Sequence, residues 1–493
     1  MTRTTKTWLL LLLLLGLALR LPGLFANTFQ ADEALFATWA RLIAVWRDPL
    51  LTTQLVDKPP LLFYLQAIFY PLLGPVETAA CLPNFIASLL LIPLSARLAW
   101  QLFHEEMIAV LTAALITFSP IAIQYSPTAF TDPLLTTLLT AALLTAAQKK
   151  PKHALWSGLF FGLAFLTKHQ SLLFLPLIAG LLYLNGAKRP HLTRWLTGFL
   201  PLLLLLITWE LARSGTFTLW HSQLDAYGGL RIIHAWELWP RLSQWGQQWG
   251  YLIGSPILAF GILLALPLFL ALIIHDQDRP TALDQLLVLF LCAYFLLHWL
   301  LAVPIWDRYI LPVIPLAALI LSRFLSRILT FLRKEIPPQL DPWFSPARAT
   351  LILPLLLLSF QASAVWQARA GQLPLGGQPT ADHGASQIAP SLYDLPYGTV
   401  LYDHWYSWHW RYHLFDKSIY VSWFPHPAAL VRELQVFGRD GNTHLLALPD
   451  SPAANPVKRA VADAGFTLEL RQTADQPPGT TAIQLYEIVV PDE

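Results

Sequence analysis

Long apolar runs separated by short polar breaks fill the chain up to about residue 370, among them "TWLLLLLLLGLALRLPGLF" at the start and "FLPLLLLLITW" further on. A hydrocarbon core about 30 Å thick takes roughly 20 apolar residues per helix. The runs are continuous, without the alternation of a barrel strand, and bare backbone polar groups have no partner in lipid, so the pattern predicts helices. About 11 spans are expected, beginning near residues 8, 77, 107, 128, 154, 171, 195, 251, 284, 309 and 349. Between the first two, Leu35, Phe36, Trp39, Leu42, Ile43 and Trp46 recur at helical spacing. That stripe predicts an amphipathic helix lying on the membrane with its tryptophans at headgroup depth. A second short helix, "PLLFYLQAIFYPLLG", starts behind Pro59–Pro60, since proline suits a first helical turn. After residue 369 the period changes. "GTVLYD", "SIYVSWF", "THLLALPD", "TLELRQ" and "AIQLYEIVV" read as strands, with "PAALVRELQVFG" and "NPVKRAVADAGF" as helices between them. The expected organisation is a polytopic α-helical membrane module over 1–368, with its first outer loop at 26–76, followed by a small α/β domain over 369–493 behind the linker "GQLPLGGQPT".

Composition agrees. The chain is 55% hydrophobic with a mean hydropathy of +0.50, against about 45–50% in soluble domains. Cys81 and Cys292 both sit in apolar stretches, which supports neither a disulfide framework nor a cysteine metal site. The net charge of +2 is uninformative, but its distribution is not. "MTRTTK", "QKKPKH", "AKRPHLTR" and "SRFLSRILTFLRKE" fall on one side of the predicted spans, the positive-inside pattern. That places the chain in the plasma membrane, with an uncleaved first span and with the first loop and the tail outside the cytoplasm. The acidic loop "HDQDRPTALDQ" falls inside, against the trend. No nucleic-acid partner is expected.

Four charged residues crowd the first loop: Asp32, Glu33, Asp57 and Lys58. Carboxylates in a first helical turn complement the helix dipole and by themselves need no further purpose. Asp132 and Lys168, however, each stand at the outer end of a predicted span, where ionisable groups tend to line cavities or sites. Asp132–Pro133 also reads as a helix start, and Lys168 could snorkel. One carboxylate base and cations at membrane level suit transfer of a sugar from a polyprenyl phosphate. The base takes the acceptor's proton and the cations hold the phosphate as charge grows on it. Phosphate leaves as a weakly basic anion, so no general acid is required. The aromatic run "YDHWYSWHWRYHLF" (402–415) suits sugar stacking or membrane docking, and docking is the expectation.

The ordered set "DEALFA", "DKPPLLFYL", "GPVETAACLPNFIASLLLIPLSARLAWQLF", "SPTAFTDPLL", "GLFFGLAFLTKHQ" and "DRYILPVIPLAAL" resembles the relatives of dolichyl-phosphate-mannose protein mannosyltransferases and aminoarabinose lipid transferases, which are GT-C glycosyltransferases. The resemblance runs over about residues 8 to 325. It implies that Asp32 is the catalytic base, with Glu33 beside it, and that Lys58 contacts the lipid phosphate. The arginine that some relatives carry after the Asp-Glu pair is absent here, where Leu35 and Phe36 follow Ala34; Arg41, Lys168 or Arg308 would replace it. Asp57, Asp132 and His169 are candidates to bind acceptor or support the base. In some relatives the residue at Asp57 joins a histidine in holding a metal, for which His221 and His234 are the candidates. A cofactor is otherwise not expected. Where relatives carry an arginine, this chain has Cys81. The implied activity is inverting transfer from an undecaprenyl- or dolichyl-type phosphate sugar to a hydroxyl acceptor. The rival from another class is a flippase that moves a lipid-linked sugar without cleaving it.

Overall fold

The computed structural model describes residues 1–215, 218–219, 222, 231–255, 270–271, 279–335 and 346–490. The chain divides into two compact units. One holds Met1–Phe25 and Ile43–Gly376, and the other holds Ala26–Leu42 and Gly377–Glu493.

The first unit is helical. Its opening helices are α1 (Arg3–Ala26), α3 (Leu61–Leu73), α4 (Glu77–Phe103), α5 (Glu106–Phe118), α6 (Pro120–Gln124), α7 (Asp132–Ala146), α8 (Pro151–Thr167), α9 (Leu175–Leu184) and α10 (Arg189–Ser214); α2 (Ala31–Ala44) lies mostly in the other unit. Helices Arg279–Leu300, Ile314–Glu335 and Pro346–Arg369 follow. Among the described residues, Arg3–Ala26, Glu77–Phe103, Arg189–Ser214, Thr281–Leu300 and Asp307–Phe331 are long and apolar enough to cross a membrane. Helices begin where spans were expected except near residue 251, where the stretch 256–269 lies outside the described residues. Glycine sets the closest crossing. A Cβ on Gly158 of α8 would stand 2.0 Å from the Trp195 carbonyl oxygen, and one on Gly198 of α10 would stand 2.1 Å from that of Leu155. Backbones approach this closely in lipid only where side chains are absent.

Several helices are shorter than a span, and each break has an identifiable cause. α5 stops at Phe118 because Ser119 is extended (φ −64°, ψ 116°) and Pro120 has no N–H to continue the ladder. At 13 residues it is about 20 Å long. Its freed carbonyls cannot turn to water. Arg20 of α1, wholly buried in an otherwise apolar run, supplies the donors: it gives N–H groups to the carbonyls of Ile116 (2.9 Å) and Thr117 (3.2 Å), to Gly16 O (3.2 Å) and to Ser88 Oγ (2.9 Å). The irregular stretch ahead of α7 is satisfied in the same way, by Asn84 Nδ2 on Thr128 O (2.7 Å) and Phe130 O (2.6 Å). Of the acidic stretch 275–285, residues 275–278 lie outside the described residues, and Asp284 meets basic residues of the Ile314–Glu335 helix. Buried Asp284 accepts from Arg323 (3.3 Å) and Arg327 (3.0 Å), and Glu105 accepts from Arg323 (2.9 Å) and Ser326 (2.6 Å).

In the second unit a five-stranded sheet has the order β2-β1-β3-β5-β4, where β1 is Val400–Asp403, β2 Tyr420–Trp423, β3 His444–Pro449, β4 Thr467–Thr473 and β5 Ile483–Val489. β1 runs parallel to β2 and β3; β5 is antiparallel to β3 and β4. All five are the expected strands. Alternation divides the side chains into two layers. Leu401, Leu445 and Leu485 face Ile388, Leu392 and Trp410, while Tyr402, Leu446 and Leu448 face Leu430, Leu434 and Val457. β3, covered on both faces, is buried throughout.

Two expectations fail here. Trp410, Tyr402, Tyr406 and Tyr412 are buried, so most of the aromatic side chains of 402–415 serve the core and not the expected membrane-docking face, while Trp408 is exposed. In α2, Phe36, Trp39, Leu42 and Ile43 are buried in protein, and Trp46, beyond the helix, is exposed. The stripe meant for lipid is thus occupied by protein. The linker also differs from expectation. Gln124 Nε2 donates to the carbonyls of Leu373 (3.0 Å) and Gly376 (3.2 Å), and Leu373 and Leu375 are buried.

Replacing Arg20 strands carbonyls in the apolar interior. Arg20→Leu is expected to cost about 2–4 kcal/mol, read as a lower unfolding midpoint in detergent, with Arg20→Lys intermediate. A second expectation concerns pH. Burial pushes His409 and His413 in the second unit down to about 4 from an ordinary 6.5. Between those values the unfolded chain binds protons that the folded chain refuses, so stability is full above about pH 6.5 and falls as pH drops toward 4. Amide exchange along β3, corrected for intrinsic rate, should accelerate at pH 5 relative to pH 7 in the full chain.

Candidate active site

In the first unit the loop before α3 is fixed from several sides. Asp48 accepts the backbone N–H groups of Thr52 and Thr53, each at 2.8 Å, and both of their hydroxyls. Tyr64 OH donates to Pro49 O (2.7 Å) and accepts from Trp209 Nε1 (3.0 Å). Arg213 donates to Gln54 O (3.2 Å). Arg213 is held in turn by buried Glu210, which also takes the backbone N–H groups of Thr218 (3.0 Å) and Leu219 (2.9 Å). Lys58 follows this braced loop, buried and ion-paired with Asp57, and Pro60 then opens α3. Lys58 is thus a buried cation held between its own carboxylate partner and the proline start of α3.

Asp132 and Lys168 meet at 2.6 Å, both almost fully buried. Local structure prepares each end of the pair. Asp132 opens α7, where a negative charge complements the dipole. Lys168 follows the last residue of α8 in extended conformation (φ −161°, ψ 134°), which turns its side chain out of the helical path. Its Nζ also lies 4.6 Å from the Tyr309 ring centroid. Tyr309 O accepts from Tyr294 OH (2.6 Å), and the Tyr294 ring stacks on His298 at 4.2 Å. His169, the first residue of a 3-10 turn over His169–Phe174, is buried beside Phe165. Arg308 lies over the rings of Phe130 (4.6 Å) and Trp306 (4.7 Å). The neighbouring Asp307 accepts from the N–H groups of Arg308 (2.8 Å) and Gly376 (3.0 Å).

In the second unit, Asp32 and Glu33 occupy the first turn of α2. Glu33 is buried and accepts the Gln30 N–H (3.0 Å), so it caps its own helix. Asp32 is half-buried. The two carboxylates thus differ in setting: Glu33 is engaged by the backbone and buried, and Asp32 keeps partial exposure. Of the metal candidates, His221 lies outside the described residues, and His234 is exposed and stacked on Trp236 at 4.3 Å. Among the described residues no three His, Cys, Asp or Glu side chains converge as a metal site. Sequence reasoning missed Arg20, the Glu210–Arg213 brace and Asp307. An arginine or carboxylate inside an apolar run was the available signal.

Residues 57–210 match the model of the dolichyl-phosphate-mannose-protein mannosyltransferase family. The fold is similar to the crystal structure of ArnT from Cupriavidus metallidurans in the apo state (TM-score 0.66, 16% identity, 98% of each chain covered). It is also similar to the structure of that protein bound to undecaprenyl phosphate (TM-score 0.64, 15% identity, 98% of each chain). No curated protein sequence matches the chain. The chain therefore shares the fold of that structure, an α-helical membrane module with a small α/β domain, and the family match supports the resemblance read from its motifs over residues 57–210.

Breaking a buried ion pair from one side leaves an uncompensated charge, whereas removing both partners does not. Asp132→Asn and Lys168→Met are each expected to destabilise the protein by about 3 kcal/mol, and the double variant by clearly less than the sum. A double-mutant cycle on unfolding in detergent reads this, and strict additivity would deny the coupling.

Proposed function

We propose that this chain is a membrane glycosyltransferase that moves a sugar from a polyprenyl phosphate to an acceptor hydroxyl outside the cytoplasm, inverting the anomeric carbon. The observation that carries the reading is the family match over 57–210, because it begins at Asp57 and runs through Lys58-Pro-Pro, Asp132 and Lys168. The undecaprenyl phosphate bound to the structurally similar ArnT supports the donor class. The inward bias of basic segments supports the sidedness.

In this scheme Asp32 accepts the proton of the acceptor O–H. The oxygen attacks the anomeric carbon from the face opposite the phosphate. The bond from that carbon to the phosphate oxygen breaks, and its electron pair stays on the phosphate. Lys58, with help from Arg308, holds that growing charge. A preorganised cation is worth most where water is excluded, and Lys58 is buried. Glu33 supports the base by capping its helix, and Asp57 orients Lys58. Lys168, paired with Asp132, is a further cation for the donor phosphate, and Asp132 and His169 shape the acceptor side. The scheme needs no metal.

The flippase reading has one feature in its favour, the helix breaks at Ser119–Pro120 and Lys168, since transporters build sites at such breaks. Both breaks are already supplied with partners, by Arg20 and by Asp132. The comparison is direct in proteoliposomes carrying a polyprenyl phosphate with a labelled sugar. Transfer or release of the sugar with free polyprenyl phosphate is expected, whereas translocation of intact donor would favour the flippase. Asp32→Asn is expected to insert normally and lose at least about 10²-fold in kcat. Lys58→Met should raise the donor KM. Full turnover by Asp32→Asn would remove that residue as the base.

A further inference from the structure

Ala26–Leu42 directly follows the first span in sequence, yet it folds as one unit with Gly377–Glu493. It is fastened at both ends. Before α2, Thr28 N donates to Gln378 O (3.2 Å), Thr28 Oγ1 donates to Pro379 O (3.2 Å) and accepts from Asp382 N (3.1 Å). The Phe29 carbonyl is 3.0 Å from His409 Nε2, and the Phe29 ring meets Tyr412 edge-on at 5.0 Å. Three turns later, Arg41 donates to Tyr412 O (2.6 Å) and to Asp416 (2.8 Å), and its guanidinium lies over the Phe415 ring at 4.3 Å. Asp32 stands between these fastenings.

We infer that the C-terminal domain is the positioning element for Asp32, holding α2 through Thr28 and Phe29 on one side and through Arg41 on Tyr412 and Asp416 on the other. The inference rests on the reading of Asp32 as base. It assigns the domain a part in the chemistry, and it gives Arg41 a task other than the phosphate contact its sequence position suggested. The guanidinium is committed to a carbonyl, a carboxylate and a ring of the domain. An ion pair with a half-exposed Asp416 is worth little to global stability. Its value lies in direction, since a displacement of about 1 Å at a reacting group can cost about 10²-fold in rate.

The test uses the full-length protein in nanodiscs with a labelled polyprenyl phosphate sugar. Asp416→Asn and Arg41→Met should lower kcat roughly threefold and tenfold with the donor KM within about twofold, and Arg41→Lys should recover part of the loss. Amide exchange over residues 34–42 should speed up in both variants while β3 keeps its protection, which separates a loosened helix from a smaller folded fraction. Wild-type kcat in both variants, a rise in donor KM for Arg41→Met, or unchanged exchange over 34–42 would each overturn the inference. A wild-type protein that cleaves no donor would overturn the proposed function itself, and this inference with it. Asp416→Asn removes a half-exposed group, so the test stands if Arg41→Met fails to fold.

Discussion

In lipid every broken helix must have its free carbonyls and charges satisfied from within the protein, and that constraint organises the membrane unit. A proline ends α5 inside the apolar region, and a buried arginine from α1 takes up the orphaned carbonyls. α8 ends at an extended lysine, and an aspartate at the head of α7 answers it. Both solutions join segments far apart in sequence. The charges that look anomalous in a chain only 13% charged are what allow it to have irregular backbone at depth.

The same economy brings order to the loop before α3. Asp48, Tyr64 and the Glu210–Arg213 brace hold the approach to Lys58 without using Lys58 itself. Asp57 pairs with that lysine, and Glu33 is spent on its helix. Groups fixed by packing in this way lose little entropy on meeting a ligand.

The C-terminal domain is a small parallel sheet with an antiparallel edge pair, and its aromatic segment is an interior one. Tryptophan and tyrosine at high density read equally as membrane belt, sugar platform or core. Helix packing on the sheet decided for core, with Trp410 filling one layer and Tyr402 the other.

The sequence by itself determined the class of protein, the strands of the tail and nearly every helix start, because hydrophobic length and period are local properties. It also singled out Asp32, Lys58, Asp132 and Lys168, because charge next to lipid is costly wherever the chain goes. Which of those charges face each other was beyond it: nothing local in "FTDPLL" or "LTKHQ" says that Asp132 meets Lys168 across 36 residues. Only the tertiary structure assigned Arg20 to the end of α5 and drew Ala26–Leu42 into the C-terminal domain. Both outcomes depend on which surface was free to cover an apolar stripe or an orphaned carbonyl, and that is a property of the whole packing, not of any one segment.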